Sequence, residues 1–160
     1  MASEREPAGE PSAWRRTVME MRSMASQLEA AGWDVTSVRA GDVAPEPPEL
    51  GKPGRFGLVF TVPGSEEHAI RRVIETADVK EYAVHRRVLD STAFIVVELR
   101  APASRRSLFV AGVVDTGDAA ALAAAATDRG EMYTHVRLLD GTTLGSVRHD
   151  EAAAFFGATE

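Results

Sequence analysis

The feature of this sequence that most constrains its fold is a similarity between two of its own segments, which lie fifty residues apart. Residues 55–100 and 105–150 both read as strand, helix, strand and strand, and they align without a gap. Eleven aligned positions are identical: Arg55/Arg105, Leu58/Leu108, Ala69/Ala119, Asp78/Asp128, Glu81/Glu131, His85/His135, Arg87/Arg137, Leu89/Leu139, Asp90/Asp140, Thr92/Thr142 and Val97/Val147. Unrelated sequences match at roughly one position in fifteen. We therefore predict an internal duplication, with coincidence at the best offset as the alternative.

The duplication predicts an α+β fold built from two tandem β-α-β-β units. Unit one covers residues 55–100 and unit two covers residues 105–150, and each ends in a hairpin around Asp90-Ser91 or Asp140-Gly141. The two units would form one antiparallel sheet, or two packed sheets, related by a pseudo-twofold axis. The helices would lie on one face of that sheet, because each has a single apolar stripe to bury.

The segment before the two units predicts an N-terminal amphipathic helix followed by a strand, within residues 12–39. Apolar side chains recur at helical spacing from Trp14 to Leu28. Residues 1–11 predict a disordered tail, so the single domain spans residues 12–156. Residues 40–54 contain Pro45, Pro47, Pro48 and Pro53 and predict a stiff Pro-rich loop.

Composition excludes several classes of function. The 160 residues include no cysteine, which removes disulfides and thiolate nucleophiles. The net charge of −6 disfavours nucleic-acid binding. No apolar run is long enough to span a membrane, and the polar N-terminus does not resemble a secretory signal, so we expect a cytoplasmic protein.

The candidate site follows from the pattern His-x-Arg-x-Leu-Asp, which occurs in both hairpins. Strand alternation places the polar residues of each hairpin on one face: His85 and Arg87 in unit one, and Tyr133, His135, Arg137, Ser146 and Arg148 in unit two. Two arginines could hold a carboxylate or a phosphate, and histidine could exchange protons. The alternative is a solvated sheet face held by cross-strand pairs.

The remaining motifs favour a binding protein over an enzyme. No phosphate-cradling loop, dinucleotide fingerprint or nucleophile elbow occurs, and the four histidines lack zinc-ligand spacing. We therefore expect no cofactor and no metal. The leading hypothesis is a non-enzymatic binding or regulatory domain whose partner is a protein or a small anionic ligand. The alternatives are an enzyme with a His/Arg site between the two halves, acting on a small anionic substrate, and a self-associating homo-oligomer that uses the first helix.

Several short strings carry a resemblance to a known family. These are Arg39-Ala40-Gly41-Asp42, Ala44-Pro45, Arg55-Phe56-Gly57-Leu58-Val59, Gly130-Glu131-Met132-Tyr133 with His135, and Leu138-Leu139-Asp140-Gly141-Thr142. Over about residues 12–156, the sequence resembles an uncharacterised family of short haloarchaeal proteins, a domain of unknown function. The resemblance implies no activity for any residue.

Overall fold

In its described residues, which are 10–48, 53–75 and 77–156, the computed structural model contains three α-helices and seven strands. The helices are α1 (Glu10–Ala30), α2 (Glu67–Ile74) and α3 (Ala120–Arg129). The strands are β1 (Asp34–Glu46), β2 (Gly57–Val62), β3 (Glu81–Leu89), β4 (Thr92–Ala101), β5 (Arg106–Asp115), β6 (Met132–Leu138) and β7 (Thr143–His149). The predicted α+β class is confirmed. No helix in this part of the chain is long and apolar enough to cross a membrane.

The strands form a sheet in the order β3-β4-β5-β1-β2-β6-β7, which divides at β1 into two four-stranded halves. The first part of β1 pairs with β5, and residues Val43–Glu46 pair with β2. A bulge between Arg39 and Gly41, which has a φ of 76°, interrupts the pairing with β5 shortly before the strand passes to β2. The left-handed backbone there suits glycine and bends the strand from one half into the other.

The predicted antiparallel sheet is wrong at two of its pairings. Strands β1 and β5 run parallel, and so do β2 and β6. The other four pairings are antiparallel. Both parallel pairs join strands from different parts of the chain: β1, which precedes both units, lies between their first strands, and β2 of unit one pairs with β6 of unit two. No local sequence pattern specifies these arrangements.

The predicted Pro-rich loop, residues 40–54, is wrong in its first half, because β1 continues to Glu46. Pro45 pairs with Leu58 of β2, while the pairing of β1 with β5 ends at Asp42. Proline is tolerated there because the strand has a neighbour on one side only, so its missing N–H breaks no ladder. Residues 49–52 of the predicted loop lie outside the described part.

The two predicted units do have the same order of elements, β2-α2-β3-β4 and β5-α3-β6-β7. Their pairing differs, however. The first hairpin joins the sheet through its second strand, β4, whereas the second hairpin joins through its first strand, β6. A pseudo-twofold axis would require equivalent joins, so the predicted symmetric sheet does not form, and the duplication itself stays a prediction.

The sheet curls until its two edge strands approach each other. The rings of Tyr82 on β3 and His149 on β7 have centroids 4.3 Å apart, and Phe155 packs 4.7 Å from His149. The inner face encloses the larger core, which includes Leu58, Phe60, Ile70 and Leu122, among others, from β2, α2 and α3. Burial of this apolar surface is the main term that stabilises the fold.

The predicted placement on one face concerned the helices of the two units, α2 and α3, and the N-terminal helix α1 lies on the opposite face. Met21 and Ala25 of α1 pack against Val96, Phe109 and Ala111 on the outer face of β4 and β5, whereas α2 and α3 contribute to the inner core. The predicted disordered tail, residues 1–11, lies outside the described residues except for its last two, which are helical and begin α1.

Candidate functional site

The seven predicted site residues all belong to the two hairpins, but they form two separate groups. His85 and Arg87 lie on β3, and the other five lie on β6 and β7. Among the described residues, the hydrogen-bond and ion-pair partners of the two groups do not overlap. The geometry therefore gives no support to one site assembled from both hairpins.

The second hairpin has the predicted pairing near its base but not near its turn. His135 pairs with Ser146, and Tyr133 pairs with Arg148, as the alternation predicts. A two-residue turn at Asp140-Gly141 would pair Arg137 with Leu144, but a bulge after Val136 pairs Arg137 with Thr143. The bulge shifts the register because the turn closes through Leu138 and Thr142, where the Leu138 N–H donates to the Thr142 carbonyl at 2.8 Å.

His135 is buried, so the interpretation of this hairpin face as solvated is wrong at that residue. Its Nε2 lies 2.7 Å from the carbonyl oxygen of Arg55 and its Nδ1 lies 2.7 Å from Ser146 Oγ. A carbonyl only accepts, so Nε2 carries the proton and Nδ1 accepts from the Ser146 hydroxyl. Burial, above all, lowers the pKa of His135. With both nitrogens engaged, His135 holds the chain at Arg55 in place and is not available as an acid or base.

The charged side chains around His135 also have partners within the protein. Arg137 donates to Glu46 at 3.0 Å, and Arg148 donates to Glu131 at 2.6 Å. The Tyr133 ring stacks on the His135 ring, with centroids 5.7 Å apart, and the guanidinium of Arg55 lies over Tyr133 at 5.1 Å. This cluster fastens the end of β1 and the start of β2 to the second hairpin.

Replacing His135 by Ala is expected to lower the free energy of unfolding by more than about 2 kcal/mol, because the Ser146 hydroxyl and the Arg55 carbonyl lose their partner. Arg148→Ala is the matched control on the same face: its side chain is half-exposed, and its loss is expected to cost less than about 1 kcal/mol. Urea denaturation of both variants measures the difference. Equal losses would mean that His135 is not the structural centre of the cluster.

The first hairpin forms a different environment, a groove between α1 and β3. Its volume is about 270 Å³. The outer-face residues Phe94 and Val96 form its floor and are buried under α1. This face of the first hairpin carries both apolar and polar side chains, and α1 covers part of it. The lining residues come from α1, β3 and β4: Thr17, Glu20, Met24, His85, Arg86, Arg87, Phe94 and Val96.

A buried carboxylate lies beside this groove and was not among the predicted site residues. Glu98 of β4 accepts a hydrogen bond from Arg100 Nε, and its other oxygen lies 3.3 Å from His85 Nε2. The Glu98 side chain is 3% exposed, whereas that of His85 is 43% exposed. Glu98 thus orients a histidine that reaches solvent. A glutamate inside the otherwise apolar run of β4 was the signal in the sequence.

Arg87 connects the two walls of the groove. Its Nη2 donates to Glu20 of α1 at 2.9 Å. Its Nη1 is buried and has no hydrogen-bond partner among the described residues. A buried donor without a partner costs about 1–3 kcal/mol, so an oxygen atom supplied by a ligand at this point would recover that cost.

Neither group of residues is arranged to hold a metal ion. Within residues 10–48, 53–75 and 77–156, no three His, Asp or Glu side chains lie close enough to share one. The groove offers two kinds of chemistry instead: donors for an anion from Arg87 and His85, and proton exchange at His85.

Comparison with known proteins adds a family but no activity. The model of a family described as a family of unknown function (DUF7529) matches residues 2–157. No curated protein and no solved structure matches the sequence. The predicted resemblance to a family without known activity is thereby confirmed, while the haloarchaeal origin stays a prediction.

Proposed function

The chain belongs to the family of unknown function DUF7529, and we propose that it is a non-enzymatic binding domain that takes a small anionic ligand in the groove between α1 and β3. The observation that carries this proposal is the buried Arg87 Nη1, which has no partner among the described residues. Arginine forms strong, charge-assisted hydrogen bonds to carboxylates and phosphates. In Arg87, one Nη is held by Glu20, and the other is left for the ligand.

The charges around the groove support the same proposal. The carboxylate of Glu98 already accepts a hydrogen bond from Arg100. It therefore does not compete fully with an anionic ligand for His85. Glu20 balances Arg87 only in part, because its side chain is 54% exposed and screened by water. An anion placed against Arg87 would also approach His85, which can donate a second hydrogen bond.

The test is a titration of the protein with inorganic phosphate and with succinate, followed by calorimetry at constant ionic strength. We expect saturable binding that Arg87→Ala weakens at least tenfold, because the variant loses a charge-assisted hydrogen bond. Arg148→Ala is the control, since Arg148 is an exposed arginine whose partners are Glu131 and Asp150. Equal weakening by both substitutions would indicate non-specific attraction and would contradict the proposal.

A second candidate, an enzyme, is favoured by one specific contact. A buried carboxylate that orients a half-exposed histidine, as Glu98 does with His85, is the arrangement used to position a general base. In this alternative the site is the groove itself rather than a junction of the two hairpins. It predicts that His85→Ala abolishes turnover of an anionic substrate while binding is retained, whereas the leading proposal predicts no turnover in either protein.

Cytoplasmic location and haloarchaeal origin remain part of the proposal, supported by the acidic, cysteine-free composition. Self-association remains the third candidate. The apolar stripe of α1 packs against β4 and β5, so a partner helix would have to bind another face of α1.

A further inference from the structure

Arg86, the neighbour of Arg87 in the sequence, faces the opposite side of β3 because side chains alternate along a strand. It pairs with Ile95, a residue of the inner core. Its Nε is buried and has no hydrogen-bond partner among the described residues. Burial lowers the pKa of the Arg86 guanidinium. A cation is therefore held at the inner face without a carboxylate hydrogen-bonded to its Nε in the described part of the chain.

A small cavity lies against Arg86 on this inner face, separate from the body of the groove. Its volume is about 110 Å³, which suits a molecule of roughly five or six non-hydrogen atoms, since a cavity of about 150 Å³ holds benzene. The lining is mainly apolar and comes from β3, β4, β5, the segment leading into α3, α3 itself, and the C-terminal 3-10 turn (Ala152–Phe155) with the residue after it. Its residues are Arg86, Ala93, Val114, Thr116, Ala119, Ala123, Phe155 and Phe156.

The polar groups of this lining leave Arg86 as the donor for a ligand. The Thr116 hydroxyl donates to the Ser91 carbonyl at 3.1 Å. The backbone N–H groups of Ala119 and Ala123 donate to the carbonyls of Asp115 and Ala119. A phosphate or a dicarboxylate would bring further charge into an apolar cavity without donors to match it. One carboxylate on an alkyl chain fits both the single guanidinium and the apolar walls.

We propose that this cavity is a second binding site, which takes a short-chain monocarboxylate. The carboxylate binds the Arg86 guanidinium, and the alkyl chain packs between Ala123 of α3 and the rings of Phe155 and Phe156. The site is independent of the groove at Arg87, although Arg86 borders both. An alkyl chain is needed for binding in the cavity but not in the groove. This difference distinguishes the two sites experimentally.

The experiment is an NMR titration of the full chain with butyrate and, in parallel, with butyramide, which has nearly the same shape but no charge. We expect butyrate to shift the amide signals of Ala123 and Phe155 saturably, and butyramide to bind at least tenfold more weakly. Arg86→Met should weaken butyrate binding at least tenfold. Ala123→Leu fills the cavity and should abolish butyrate binding, although this variant keeps the Arg86 guanidinium.

Arg148→Met is the control at an exposed arginine remote from the cavity lining and should change butyrate affinity less than twofold. The proposal is overturned if butyramide binds as well as butyrate, if Ala123→Leu binds butyrate normally, or if the shifts are confined to exposed basic residues. Should Arg86→Met fail to fold, the Ala123→Leu and butyramide results decide. If Arg87→Met no longer binds phosphate but still binds butyrate, the result would support two separate sites, the groove and the cavity.

Discussion

Replacing Gly57 by Ala is expected to lower the free energy of unfolding by at least about 3 kcal/mol, or to prevent folding altogether. A Cβ atom at this position would lie 1.8 Å from the backbone oxygen of Tyr133. Gly57 pairs directly with Tyr133 in the parallel ladder of β2 and β6. The obstacle is backbone and cannot rotate away, so the two strands would have to separate and lose hydrogen bonds.

Gly54→Ala is the matched control, three residues earlier in the chain. A Cβ atom there would have no heavy atom within 4 Å, so its effect on stability should stay within about 0.5 kcal/mol. Urea denaturation of the two variants makes the comparison. If Gly57→Ala proved as stable as Gly54→Ala, the register of β2 against β6 would be wrong, and with it the placement of His135 against Arg55.

The second large effect is a loss of stability in mild acid, caused by His149. This residue is fully buried, and its Nε2 lies 2.7 Å from Thr134 Oγ1. Burial lowers the pKa of His149 from 6.5 to about 4. Because the unfolded chain binds the proton more tightly than the folded one, stability is complete above about pH 6.5. It falls as the pH drops towards 4, by about 3 kcal/mol from this residue.

The measurement is the free energy of unfolding at several pH values between 7 and 4, compared between the natural chain and His149→Phe. The variant should show a shallower loss in this range, because phenylalanine does not titrate. His135, whose pKa is also lowered, contributes a loss of the same sign in both proteins and so cancels in the comparison. Identical slopes would show that His149 is not buried as a neutral residue.

The sequence patterns predict the local elements well because they report which side of an element is buried. The stripe along α1 includes Val18, Met21 and Ala25, all of which are buried. Gly32, with a φ of 94°, follows the end of this helix, where a left-handed residue is expected. The first hairpin also has its predicted two-residue turn, with Leu89 paired to Thr92.

The same patterns do not specify which element covers a face. The predicted duplication leads to equivalent roles for His85 and His135, yet their surroundings differ. His135 faces Ser146 and the chain at Arg55, whereas His85 faces Glu98 and the groove under α1. These neighbours come from distant parts of the chain, and strand order fixes them. Since strand order is set by long-range packing, two similar hairpins acquire one structural and one accessible histidine.

Of the side chains that matter most for the candidate site, some could be predicted from the sequence and others could not. Arg87 was predicted because it repeats at Arg137. Its partner Glu20 was not, since nothing in the sequence indicates that α1 crosses the outer face beside β3. Arg86 was not among the predicted site residues, because strand alternation alone does not show whether the inner face of β3 is buried. The curl of the sheet buries its inner face.

The ¹⁵N NMR spectrum of the arginine side chains tests most directly the claim that Arg87 binds an anion in the groove between α1 and β3. Spectra recorded with and without inorganic phosphate, at equal ionic strength, compare the Arg87 guanidinium with that of Arg148. We expect the Arg87 signals to shift saturably and sharpen as rotation about its guanidinium slows, while those of Arg148 stay unchanged. Arg87 signals that do not respond, or that respond in parallel with Arg148, would contradict the claim.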